Sequence, residues 1–300
     1  MPKQRRTGLF SATLTSKKID DLIKVGLRNP AVIKLSKKGE NSHEIPNTLT
    51  NSYLICDGRI DKIFKMMKLI EKNNDSKMIV FFNTCASVRF YYKLLKEYMR
   101  ERPEKFAKIP VLQIHGEMKQ KKRLVTYNKF NTSAAGLLIA TDVIARGIDF
   151  PEVDYIFQID PPQDPASFVH RIGRTARRGL EGAAIVFLDD SEKDYIDFLH
   201  HKEMKIDPFE TKKFKDFSKG IQKFESQIKK VVLRDKDFII SGSAAFVSFI
   251  RSYKEHQLAS IFVFSELDLE KTAKSFFLFR LPYMKELAEK NIKITLATDA

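Results

Sequence analysis

The stretch "HRIGRTARRG", His170 to Gly179, sets four arginines, a histidine and two glycines within ten residues. Guanidinium groups are planar, permanently charged and carry paired N–H donors, a match for phosphate oxygens. Arginines are also ordinary surface residues, so the setting must choose between phosphate recognition and a solvated face. Just upstream, in "DPASFVHRIGR", Asp164 stands where it can cap a helix, and Pro165 takes the first helical position, where a missing N–H costs nothing. Phe168, Val169 and Ile172 follow as an apolar stripe at helical spacing. The arginines therefore begin at the end of a short buried helix, which Gly173 and Gly179 let the chain leave. Arg171, Arg174, Arg177 and Arg178 would share about a third of the circumference if the helix ran on. Phosphate is the sharper of the two readings.

Other polar residues fall just past short β-rich runs. "LTNSYLIC", "MIVFFN", "PVLQI", "GLLIAT", "VDYIFQI" and "AAIVFL" read as six strands between Leu49 and Leu188. Most are separated by segments of period near 3.6: Ile60, Ile63, Phe64, Met67 and Ile70 share one face, and "ASVRFYYKLLKEYM" and "KQKKRLVTYNKF" read as similar amphipathic helices. This alternation predicts an α/β fold with a parallel sheet covered on both faces. Right-handed crossovers bring every strand-to-helix loop to one edge, where open α/β sheets bind ligands. Asn83 and Thr84, His115 and Gly116, Thr141 and Asp142, and "DPPQDP" are thereby predicted to converge beside the arginine helix.

Composition narrows the ligand. The 300 residues carry 53 Lys and Arg against 38 Asp and Glu, a formal charge of +15, so polyanions are the natural partners: RNA, DNA or an anionic membrane. No apolar run approaches the roughly 20 residues of a spanning helix, and no signal peptide is visible at "MPKQRRTGLF". Cys56 and Cys85 make no disulfide framework and are expected in or near the core. Six scattered histidines show no metal spacing.

The pattern differs at both ends. Residues 1–35 offer one strand, one helix and a short run, too little for a core, and read as the tail of another domain. Residues 36–48, "SKKGENSHEIPN" and the residue after it, read as a linker. Residues 49–204 form the α/β lobe and 205–285 a helical extension, with 286–300 a tail that gives no signal. In the extension Phe246, Phe249, Ile250 and Tyr253 fall at i, i+3, i+4 and i+7, and Leu269, Ala273, Phe276 and Phe277 share a face. These aromatics are expected to pack in a core, on the extension itself or on the lobe, rather than to stack on bases.

"SAT", "VFFNT", "HGEMKQKKR", "ATDVIARGID" and "HRIGRTAR" occur in that order between Ser11 and Arg177. The ordered set resembles the second half of a DEAD-box ATP-dependent RNA helicase. "RRTGLFSAT", "GLRNP", "DPPQDPASFVHR" and the tail "AFVSFIRSYKEH…SFFLFRLPYMKEL" resemble the nucleolar helicases of large-subunit ribosome biogenesis, which carry a helical extension. The resemblance implies a RecA-like lobe, a remnant of a first such lobe in 1–35, and ATP with Mg²⁺ held mainly by that first lobe. It implies that Arg174 and Arg177 are arginine fingers toward the γ-phosphate, and that Gly147 and Asp149 approach the ribose. RNA contacts would come from Thr84, Gly116, Gln120, Arg123 and Thr141, types suited to phosphates and sugars. His170 would couple the nucleotide and RNA sites, and Ser11 and Thr13 would link hydrolysis to duplex opening. Residue chemistry alone leaves Asp149 as a turn cap, His170 as a packing residue, and Gln120 and Arg123 as a polar helix face.

The family pattern is incomplete here. Neither G-x-x-x-x-G-K-[ST] nor an acidic quartet of the DEAD type occurs in the 300 residues. These residues alone are therefore expected not to hydrolyse ATP. Three functions remain: part of an RNA helicase acting on pre-rRNA in a pre-ribosomal particle of the nucleolus, a non-catalytic RNA-binding module derived from one, and a DNA-directed helicase of the same superfamily. None involves a membrane.

Overall fold

The computed structural model describes residues 7–8, 30–31, 33, 48–106, 109–144, 153–177, 179–211 and 219–288. The chain divides into two compact units, Met1–Ser42 and His43–Ala300. The few described residues of the first unit lie in no helix or strand, and the expectations for its strand and helix fall outside the described residues.

In the second unit all six expected strands form: β1 (Leu49–Cys56), β2 (Lys77–Phe81), β3 (Val111–Ile114), β4 (Gly136–Ala140), β5 (Tyr155–Gln158) and β6 (Gly182–Asp189). A seventh, β7 (Asp207–Pro208), lies just inside the stretch read as helical; two residues are too few to show a period. The sheet order is β3-β4-β2-β5-β6-β1-β7, and every pairing is parallel.

The central strands are apolar on both sides because both sides are covered. Met78 and Val80 of β2 enter one cluster, and Ile79 and Phe81 enter the other. The first face carries α1 (Gly58–Lys72) and α2 (Cys85–Arg100), with the short α3 (Pro103–Phe106) after them. The second carries α4 (Gln120–Thr132), α5 (Pro165–Ile172) and α6 (Asp194–His201). Cys56 is in the core, where burial pushes its thiol pKa up to about 12, and Cys85 is half-buried.

The extension comprises α7 (Ile221–Leu233), α8 (Lys236–Lys254), α9 (Leu269–Ser275) and α10 (Lys285–Ala288). It packs on the lobe: Phe224 and Ile228 of α7, Phe246 and Ile250 of α8, and Ala273 and Phe276 join the core of the first face. Leu269 and Phe277 are buried with them, as the spacing predicts. Gly242 lets α8 lie close: an added Cβ there would sit 2.7 Å from the Phe276 carbonyl and 3.2 Å from the Phe90 ring. Tyr253 in the last turn of α8 and Phe262 beyond it reach the cluster of the second face and pack edge to face.

His256 lies in this join. Its Nδ1 accepts the Leu258 N–H at 3.1 Å, its ring centroid is 4.0 Å from that of Phe262, and burial lowers its pKa to about 4. Folding therefore holds the ring neutral, while the unfolded chain takes up a proton below about pH 6.5. Between these two values the unfolded state binds more protons, so stability falls as pH falls through that window. Urea unfolding at pH 7.5 and pH 5 is expected to show a loss of about 2 kcal/mol from this group, and His256→Gln should flatten that part of the profile.

Candidate functional site

The sheet reverses its winding between β2 and β5. From β2 the chain crosses by α2 toward β3 at one edge, and from β5 it crosses by α5 toward β6 on the other side. The two helices lie on opposite faces, leaving a crevice at the ends of neighbouring strands, where open α/β sheets take their ligands. Here the chain fills the crevice with its own charges.

Asp160, directly beyond β5, is the hub. Its carboxylate accepts Arg59 at 2.5 Å and the Asn83 N–H at 3.0 Å, while its carbonyl accepts Arg171 at 2.7 Å. Arg171 is fully buried; it also donates to both oxygens of Asp142, at 2.5 and 2.8 Å, and to Asn83 Oδ1 at 2.7 Å. Asn83 Nδ2 donates to the Pro161 carbonyl at 2.7 Å. The polar tips of β2, β4 and β5 thus converge as the strand order requires, joined by one guanidinium from α5. Arg171 belongs to this framework and not to a phosphate-facing set, a correction to the sequence reading: the helix stops at Ile172, so Arg174 and Arg177 do not continue its face. Arg178 lies outside the described residues.

Arg59 enters from α1. Its Nε donates to the Tyr91 hydroxyl at 2.9 Å, and its guanidinium lies 4.5 Å from the Phe249 ring centroid and 5.0 Å from that of Phe276. Burial works against its charge, but Asp160 and Tyr91 more than offset that, so its pKa is raised. The buried Lys62 and Glu192 form a second group beside it with the half-buried Asp189, Lys62 lying 2.8 Å from Glu192 and 3.3 Å from Asp189.

On one flank lie the expected RNA residues. Gly116 is exposed after β3, and a Cβ on it would stand 3.8 Å from Cys85 Sγ, beside Thr84. Arg89 and Glu117 pair across this join. Thr84 is 9% exposed and caps α2: its Oγ1 accepts the Ser87 N–H at 3.1 Å and lies 2.9 Å from Ser87 Oγ. Thr141 is buried at the end of β4, its N–H donating to Ile114 at 3.3 Å. Gln120 is exposed at the first position of α4, with Arg123 half-buried one turn on. The N-terminus of α4 has no side-chain cap, leaving backbone donors and the positive dipole end for an anion. This helix is not amphipathic as its sequence suggests. Among its described residues only Phe130 is buried, while Leu124 and Val125 are 56% and 60% exposed.

On the other flank is the arginine turn. Asp164 caps α5 as predicted, accepting the Ser167 N–H at 2.8 Å, and Phe168 and Ile172 are buried. Arg174 and Arg177 are half-buried, and each Nε donates to a carbonyl four residues back, His170 at 3.1 Å and Gly173 at 2.7 Å. Ala176 adopts φ 53° and Gly179 φ 80°. Left-handed backbone is unusual for alanine, and packing enforces it: Thr175 bonds the Val153 carbonyl, and Gly182 leaves room for the turn. His170 is half-buried on α5. Gly147, Asp149, Ser11 and Thr13 lie outside the described residues.

Arg59 and the framework roles of Asp160 and Arg171 escaped the sequence reading, which placed Asp160 only as part of the converging "DPPQDP" loop. Arg59 and Asp160 sit in a helix start and a proline-rich loop, where charge reads as surface. The available signals were "FFN" and "ID" ending apolar strands on polar residues.

Two substitutions test this framework. Arg171→Met keeps bulk but leaves Asp142 and Asn83 without their partner, and is expected to cost about 3–5 kcal/mol in urea unfolding. In Gly182→Ala the new methyl would lie 2.0 Å from Thr175 Oγ1 and 2.6 Å from the Ala176 nitrogen, so the turn must shift. A loss of about 1–3 kcal/mol is expected, with altered NMR shifts at Arg174 and Arg177.

Residues 61–179 match the helicase conserved C-terminal domain, and residues 235–284 the C-terminal extension of the "ATP-dependent rRNA helicase SPB4-like" type. DEAD-box ATP-dependent RNA helicase 18 of Arabidopsis thaliana is 39% identical over 97% of this chain and 48% of its own length. ATP-dependent RNA helicase DDX55 of Gallus gallus is 37% identical over 97% of this chain and 47% of its length. The chain thus spans about half the length of these curated relatives. Among solved structures, DEAD-box helicase Mss116 bound to single-stranded RNA and UDP-BeF aligns with TM-score 0.71 and 27% identity, over 94% of this chain and 55% of that one. Mss116p helicase domain 2 bound to an RNA duplex aligns with TM-score 0.59 and 29% identity, over 75% of this chain and 84% of that one. A RecA-like parallel sheet carrying a helicase C-terminal domain, followed by helices of the SPB4-like extension, makes this chain a member of the DEAD-box ATP-dependent RNA helicase family.

Proposed function

We propose that these residues are the second lobe, 49–204, and the helical extension, 205–285, of an ATP-dependent RNA helicase that remodels pre-rRNA during large-subunit assembly in the nucleolus. The observation that carries this reading is the filled crevice with a binding flank on each side. An uncapped helix start with Gly116, Gln120 and Arg123 flanks one side, and the Arg174–Arg177 turn the other. The charge network of Asp160, Arg59, Arg171, Asp142 and Asn83 at the strand tips would carry a shift at either flank to the other. The rRNA assignment is supported by the SPB4-like extension and by the relatives' names.

The donors on the arginine flank are guanidinium groups, which match phosphate oxygens and not Mg²⁺. ATP with its Mg²⁺, held mainly by a first lobe, would supply the bond to be broken between the β- and γ-phosphates. Arg174 and Arg177 would neutralise charge on the transferring phosphoryl group, an effect worth roughly 10³–10⁵ in rate in related systems. Gly147 and Asp149 would meet the ribose. His170, on α5 between the arginines and the crevice, would pass the state of one flank to the other, with Ser11 and Thr13 acting from the first lobe. Thr84 and Thr141 would bear on the RNA backbone from the strand ends.

Labelled single-stranded RNA titrated against salt tests the RNA flank. Binding should be nearly blind to sequence, and Arg123→Ala should weaken it evenly and reduce the log–log salt slope by about 0.7. Adding a separately made first lobe and ATP should tighten binding and produce turnover that Arg174→Ala abolishes, whereas these 300 residues alone should show none. Equal binding with and without the lobe and ATP would instead identify a non-catalytic RNA-binding module. Turnover by the 300 residues alone would overturn the division of labour.

A further inference from the structure

The extension does more than cover an apolar face: it grips the loop that delivers the arginine helix. Gln163 immediately precedes Asp164, the cap of α5. Its Nε2 donates to the Ser252 carbonyl at 2.9 Å and to Ser252 Oγ at 2.8 Å, in the last turn of α8. One turn on, the His256 ring faces the carbonyls of Pro161 and Pro162. Pro161 in turn accepts Asn83, and Asp160 holds Arg59, which packs on Phe249 of α8. Asp160, Pro161 and Gln163 are therefore each tied either to the crevice or to the extension.

The two ends of α5 are secured differently. Its C-terminal end is fastened by Arg171 to β2, β4 and β5 within the lobe. Its N-terminal end depends on the loop, and the extension supplies the side-chain bonds to Gln163. An eight-residue helix has little stability of its own, so its position is set by what holds its ends. If apolar cover were the only role of α8, Ile250 and Phe246 would suffice, and a glutamine donating to both polar groups of one serine would not be needed.

We infer that Gln163 and Ser252 are positioning residues, through which the C-terminal extension sets the place of α5 and hence of Arg174 and Arg177. This inference rests on the nucleotide-facing reading of those two arginines for its consequence, and on geometry alone for its mechanics. The contact is open to solvent from one side: Gln163, Ser252, Arg251 and Thr84 line a groove of about 1370 Å³ between α2 and α8.

Amide hydrogen exchange on the 300-residue chain tests the mechanics without nucleotide. Gln163→Met keeps the bulk and removes both donors. It should speed exchange of the Phe168, Gly173, Arg174 and Thr175 amides at least tenfold, leaving amides of β2, β4 and α8 unchanged. Ser252→Ala, which retains the carbonyl, should give a smaller effect in the same place, and Ser252→Thr should behave as the parent. Unchanged exchange in α5, or acceleration spread evenly over the lobe, would overturn the inference. Because nothing in this measurement depends on ATP, its failure is separate from failure of Arg174→Ala to abolish turnover, which would strike the functional reading alone.

Discussion

A carboxylate with nowhere to go but its partners governs this molecule. Asp160 emerges from β5 at the switch point of the sheet, buried, with Arg59 at 2.5 Å and the Asn83 N–H at 3.0 Å. An unpaired charge there would be prohibitive, so these groups stand or fall together. In many open sheets the same crevice is vacant and holds the ligand. Filling it with paired charges ties the tips of β2, β4 and β5 together between the uncapped start of α4 and the arginine turn after α5.

Arg59 extends that constraint into the extension. Its guanidinium is tied to Asp160 on one side and lies between Phe249 and Phe276 on the other. A charge stacked on aromatic faces and also ion-paired is attracted from both directions. The lobe and the extension consequently share one core, and α8 and α9 complete the surroundings of a residue that the lobe's own site needs.

Much of the fold was legible because strands and helices announce themselves by period. All six strands formed, and the apolar face of α1, the cap of α5 and the buried stripe of α8 lie where their spacing puts them. What escaped was polar and buried. Arg59, Lys62 and Asp61 occupy α1 positions that look solvent-facing, but β6 and the extension cover them. Hydropathy counts a charge as exposed, and only tertiary pairing reveals otherwise. Arg171 shows the same limit from the other side: its neighbours in sequence suggested a phosphate, but its neighbours in space are Asp142 and Asn83.

Helix α4 shows why the misreading there was physical and not accidental. Its apolar residues suggested a buried stripe, yet Leu124 and Val125 face outward and only Phe130 anchors it. Buried cations elsewhere are paired: Arg59 meets Asp160, Arg171 meets the half-buried Asp142, and Lys62 meets Glu192 and the half-buried Asp189. The chain as a whole carries a surplus of +15. Lys119, Lys121 and Lys122 are exposed around the uncapped start of α4 and contribute to it there. A helix start that keeps this many lysines solvated cannot also bury that end in a core. Its weak amphipathicity and its exposed charge are two aspects of that single constraint.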